Sequence, residues 1–123
     1  MMNSVYLDEK NIINHIYVGD QTVEMVASDI NKVEGLVNSL RSQNKPVRLF
    51  LDISEIGKTT DAARRVSIDS AKKLKYDRVA VYGKSVFFKY LVKLVASQLL
   101  RFSTIEYFDS KEKAYEWLII DQL

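Results

Sequence analysis

Val47-Arg48-Leu49-Phe50-Leu51-Asp52-Ile53-Ser54 is the stretch that decides the fold. From Val47 to Ile53 only Arg48 and Asp52 are charged, and the other five side chains are large and apolar. A β-strand that is apolar in consecutive positions is buried on both faces, as in a parallel sheet covered by helices. Pro46 precedes it and cannot continue a helical ladder, so the sequence Asn44-Lys45-Pro46 marks the end of whatever comes before.

What comes before is a helix. Val26, Ile30, Val33, Val37 and Leu40 recur at alternating spacings of four and three, which gives one buried stripe. Asp20 or Thr22 is placed to cap its first turn. Further upstream, Val5 to Leu7 and Ile12 to Val18 are β-rich runs separated by the polar turn Asp8-Glu9-Lys10-Asn11. They read as a hairpin closed off by Gly19-Asp20. That opening hairpin is also where two copies would pair in a homodimer.

Downstream of Ile53, residues Ser54 to Lys58 read as a loop, and Thr59-Thr60 as the cap of a helix running to about Leu74. Arg78 to Tyr82 is a strand ended by Gly83, Val86 to Arg101 a helix, and Thr104 to Phe108 a further strand. Asp109 or Ser110 caps a last helix through Trp117-Leu118. The expected fold class is α/β, in the order β-β-α-β-α-β-α-β-α. A mostly parallel central sheet carries the N-terminal β-hairpin, with helices packed on it.

Composition sets the outer bounds. A chain of 123 residues is one domain, 1–123, large enough for a single apolar core. It has no cysteine, hence no disulfide framework and no thiol chemistry, which fits a reducing cytoplasm. The first ten residues do not read as a signal peptide, and Lys89 and Lys93 interrupt the most apolar stretch, so a membrane span is not expected. The expected location is cytoplasmic. The net charge of +2 conceals an uneven distribution: residues 64–101 carry a net +8, flanked by segments of −3 each.

Ligands of open α/β sheets gather beyond the carboxyl ends of the strands. Here that edge carries Asp52, Ser54, Lys58, Thr59, Thr60 and Asp61 after one strand, and Lys84 and Ser85 after the next. The helix start near Thr60 offers free N–H groups and the positive end of a dipole to an anion. The same residues are also explained by ordinary capping, which every helix start requires. Catalytic machinery is missing. The one histidine, His15, has no acid or nucleophile near it in sequence, and no P-loop, Gly-x-Ser-x-Gly elbow or metal-spaced cluster occurs. An enzyme, a cofactor and a metal are therefore not expected. Lys89, Lys93 and Arg101 share one helical face next to Phe87, Phe88 and Tyr90, a basic surface suited to anionic lipid. Nucleic acid is not expected, because no recognition motif accompanies the charge.

Three stretches together resemble the STAS domain family, in its SpoIIAA-like branch. They are Val47 to Ser54, with its strand followed by Asp-x-Ser; Arg78 to Ser85, a strand and its turn; and Tyr107-Phe108-Asp109-Ser110 through Ala114 to Trp117-Leu118. The resemblance runs from about Val5 to Leu118. It implies a non-catalytic regulatory or binding module that works through another protein or a small anionic ligand, an anion or nucleotide, at the loop before the second helix. In anti-sigma-factor antagonists of this family a serine there is phosphorylated. This sequence has Thr60 and Asp61 at the corresponding positions and lacks the glycine that follows. Thr60 or Thr59 would then be the displaced phosphoacceptor, or Asp61 a fixed negative charge. The alternative reading is a peripheral membrane or lipid-binding protein that uses the basic helix 86–101.

Overall fold

Asp8 closes the first turn: its Oδ1 accepts the N–H groups of Lys10 at 2.9 Å and Ile12 at 3.0 Å. Asn11 adopts the left-handed conformation there, at φ +62°. This turn joins β1 (Ser4–Leu7) to β2 (Ile12–Gln21) as an antiparallel pair. The computed structural model describes residues 2–99 and 103–120. The remaining elements are α1 (Val23–Ser42), β3 (Arg48–Thr59), α2 (Asp61–Leu74), β4 (Arg78–Tyr82), α3 (Val86–Leu99), β5 (Thr104–Phe108) and α4 (Lys111–Ile119). The strands lie in the order β1-β2-β3-β4-β5, parallel from β2 onward. The α/β fold expected from the sequence is the one observed.

Thr22, one of the two expected caps, starts α1 by accepting the Met25 N–H at 3.3 Å. Ser110 does the same for α4 through the Lys113 N–H. The two faces of the sheet are distinct. On one, Ile13, Leu49, Val79 and Val81 pack with Val26, Val33 and Val37 of α1, Ala63 and Leu74 of α2, and Phe88 and Val92 of α3. On the other, Ile12, Phe50, Ala80 and Tyr82 pack with Ala114 and Leu118 of α4. Alternate residues of β3 thus enter two different cores, which is the double burial its sequence predicts.

One expectation is corrected. Residues 54–58 are not a loop: β3 continues to Thr59, pairing Glu55 with Val18, Ile56 with Gly19 and Thr59 with Gln21. The register shifts twice along this extension, and Gly19 sits at φ +75°, a conformation suited to glycine. The Asp20 side chain accepts the Lys58 N–H at 2.8 Å, replacing a ladder bond where the strands splay. Gly57 and Lys58 carry turn-like composition, but pairing with β2, itself longer than its apolar run, overrides it.

Candidate functional site

The extension of β3 divides the expected docking edge in two. Asp52 is 5% exposed and lies on the α4 face, with Phe50 and Tyr82. Its Oδ1 accepts the Ser54 N–H at 2.9 Å and the Ser54 hydroxyl at 2.7 Å. Its Oδ2 is 3.9 Å from Lys111 Nζ, which also stands 5.7 Å from the Tyr82 ring centroid. Because Asp52 is in register with Tyr82, the turn Gly83-Lys84-Ser85 leaves the sheet beside this group. Ser85 accepts the Phe88 N–H through its hydroxyl at 3.5 Å, and its carbonyl accepts the Tyr107 hydroxyl at 3.1 Å.

Lys58, Thr59, Thr60 and Asp61 form a second group. Six residues of extended chain separate Thr59 from Asp52, on the order of 20 Å. The Thr60 hydroxyl accepts the Ala63 N–H at 3.1 Å, so Thr60 caps α2. Asp61 is exposed and pairs with Arg64 at 3.3 Å. Lys89 and Lys93 are exposed on α3, while Arg101, the third member of the expected basic surface, lies outside the described residues.

Sequence reasoning missed an apolar cleft of about 250 Å³ between the sheet and helices α1, α2 and α3. Its floor is Leu49, Leu51, Val79 and Val81, and α3 contributes Phe88, Leu91, Val92 and Val95. The cause of the space lies in α2. Ser67, Ser70 and Ala71, which line it from α2, are too small to fill the gap between α1 and α3. Only Ala63 and Leu74 of α2 are buried. That run of small residues at helical spacing was the available signal, together with the mismatch against large apolar side chains on α3.

Polar groups gather at the β2 side of the cleft: His15, Tyr17, Gln21, Thr59, Arg64 and Ser67. Thr59 and Arg64 therefore connect the start of α2 to the cleft. Beneath them, His15 Nε2 lies 3.0 Å from Asp29 Oδ2, and Asn3 Nδ2 donates to the same oxygen at 2.7 Å. Gln21 Oε1 accepts from Asn3 Nδ2 at 2.7 Å as well, completing a network that ties β2 and α1 to the segment preceding β1. Burial raises the Asp29 carboxyl, but the hydrogen bonds from His15 and Asn3 outweigh it and leave the group below its ordinary value. Burial pushes the Tyr17 phenol up to about 12, so it is a neutral donor near pH 7. His15, expected to stand alone, thus has an acidic partner contributed by α1. The pair is buried and hydrogen-bonded within the fold. Among the described residues no group of three or more His, Cys, Asp or Glu is arranged to hold a metal ion. No helix among them is long and apolar enough to cross a membrane.

The outer side of α3 exposes large apolar side chains. Val86, Phe87, Tyr90 and Leu94 are all more than 60% exposed, interleaved with Lys89 and Lys93. The helix is apolar on the cleft side and largely apolar on the solvent side.

The sequence model of the SpoIIAA-like family matches residues 19–119. The chain belongs to the SpoIIAA-like family. The match spans every element from the end of β2 to α4. An uncharacterized protein of the DUF3478 family from Shewanella loihica PV-4, solved with a SpoIIAA-like fold, is similar to this SpoIIAA-like chain with a TM-score of 0.67. The two are 17% identical, over 94% of this chain and 91% of the other, so the likeness is one of fold. No curated protein matches.

Proposed function

We propose that this SpoIIAA-like chain is a non-catalytic binding module that holds a slender apolar molecule, such as a fatty acyl chain, in the cleft beneath α2 and α3. The observation that carries this reading is the cleft: a preformed apolar space with a few polar groups along one side. Ligand sites have this construction, with apolar walls for affinity and sparse polar groups for orientation. At about 250 Å³ it falls just below the usual range of small-molecule sites, which favours a single chain over a ring system. Thr59 and Arg64 at its rim give a ligand a route to influence the start of α2, where a partner protein would read Asp61.

Native mass spectrometry of the protein purified from its own cells tests the reading. A non-covalent adduct that organic solvent removes supports it. A bare protein that also takes up no dodecanoate on addition contradicts it.

A second reading rests on α3. The exposed Val86, Phe87, Tyr90 and Leu94 beside Lys89 and Lys93 suit attachment to an anionic lipid surface. Flotation with anionic liposomes decides it: binding that weakens with salt supports attachment, and no binding at low salt rules it out.

A further inference from the structure

At the opposite edge of the sheet from the expected docking region, an open polar cleft is lined by Asn44, Lys45, Pro46, Arg48, Asp77 and Arg78. We propose that it binds a phosphate-like oxyanion, either free or carried by a small molecule, with Arg48 as its anchor.

Arg48 is the reason. The residue is 7% exposed, and its Nε and Nη1 are buried without a hydrogen-bond partner. A guanidinium does not release its proton in a protein, so burial leaves it charged. Buried charges are otherwise paired or hydrogen-bonded, because an uncompensated one is costly. Among the described residues no carboxylate forms an ion pair with Arg48. Asp77, the acid lining the cleft, uses its Oδ2 to accept the Val47 N–H at 2.7 Å.

Two further basic side chains, Arg78 and Lys45, line the cleft. Arg48 is in register with Arg78 on the adjacent strand, so the two side chains leave the sheet on the same face. Arg78 is held in place by donating through Nη1 to the Trp117 carbonyl at 2.6 Å, with its guanidinium 5.4 Å from the Trp117 ring centroid. Lys45, from the turn before β3, lines the same cleft. An oxyanion beside Arg48 would satisfy its unpaired donors. Guanidinium is the side chain best matched to that geometry. Among the described residues, the other buried side-chain atom without a partner is the neutral Ser103 hydroxyl.

The test is a titration of the whole protein with inorganic phosphate at constant ionic strength in chloride, followed by thermal unfolding and by the NMR signal of the Arg48 Nε–H. Phosphate is expected to raise the unfolding temperature in a saturable way and to shift that signal. Arg48→Met is expected to weaken binding at least about tenfold, as for loss of a hydrogen bond to a charged group. Lys45→Ala, at an exposed turn residue, is expected to weaken it less while leaving the fold intact. Should Arg48→Met fail to fold, the wild-type titration and Lys45→Ala decide the matter. Anionic liposomes in a parallel arm separate the sources: a headgroup site would give an Arg48-dependent association with vesicles, and a free-phosphate site none. No phosphate effect beyond that of chloride, or an effect unchanged in both variants, overturns the proposal.

Discussion

His15 Nε2 and Asp29 Oδ2 meet at 3.0 Å across the packing of β2 against α1, both residues more than 90% buried. The pair sits under the polar side of the cleft and fixes the wall that His15 and Tyr17 present to it, their rings 4.3 Å apart. Replacing His15 by Ala leaves the Asp29 carboxylate with Asn3 as its remaining side-chain donor. A buried polar group that loses its partner costs about 1–3 kcal/mol. Urea unfolding of His15→Ala is expected to show a loss of that size. No loss would mean that the pair does not hold β2 to α1.

The same carboxyl gives a pH dependence. Its folded pKa lies below the ordinary value, so the unfolded chain takes up a proton first on acidification. The stabilisation is complete above the ordinary carboxyl pKa and is lost as pH falls through the lower, folded one. Wild-type protein is therefore expected to lose stability on acidification below the ordinary carboxyl range more steeply than Asp29→Asn. Parallel curves would contradict this.

Thr60 has a structural duty whatever else binds near it, because its hydroxyl accepts the Ala63 N–H at 3.1 Å. Thr60→Ala is expected to cost about 1 kcal/mol and Thr60→Ser close to nothing. Denaturation of the two variants side by side is the measurement. Equal stability of Thr60→Ala and wild type would show that the cap carries no weight.

Lys75 ends α2 in the left-handed conformation, at φ +53°, with its N–H donated to the Ala71 carbonyl. Glycine is the usual occupant of such a position, since it has no Cβ to strain. Lys75→Gly is expected to stabilise the protein by about 0.5–1 kcal/mol, and Lys75→Ala to give no gain. A rise in melting temperature for the glycine variant alone is the expected pattern; a fall would contradict it.

Most of the architecture is legible in the sequence because local signals and burial agree there. The β3 run, the α1 stripe and the apolar Val79-Ala80-Val81 each satisfy one element type and the packing of that element. The extension of β3 through Lys58 was not legible, because Ser54, Gly57 and Lys58 have loop composition and their strand state depends on distant pairing with Val18 to Gln21. His15 and Asp29 are fourteen residues apart, and only the fold of α1 over β2 joins them. The cleft was hidden for a related reason: it is made of volume that Ser67, Ser70 and Ala71 fail to supply, and absent volume leaves only an indirect trace in a sequence.

Binding of an apolar chain beneath α2 and α3 is most directly measured by titrating a fluorescent fatty acid into wild-type protein and into Ala71→Phe, whose added ring occupies the cleft from the α2 side. Saturable binding by the wild type, displaced by dodecanoate and lost in a folded Ala71→Phe, is the result expected. Binding that persists unchanged in that variant, or no binding by either protein, would contradict a ligand in the cleft.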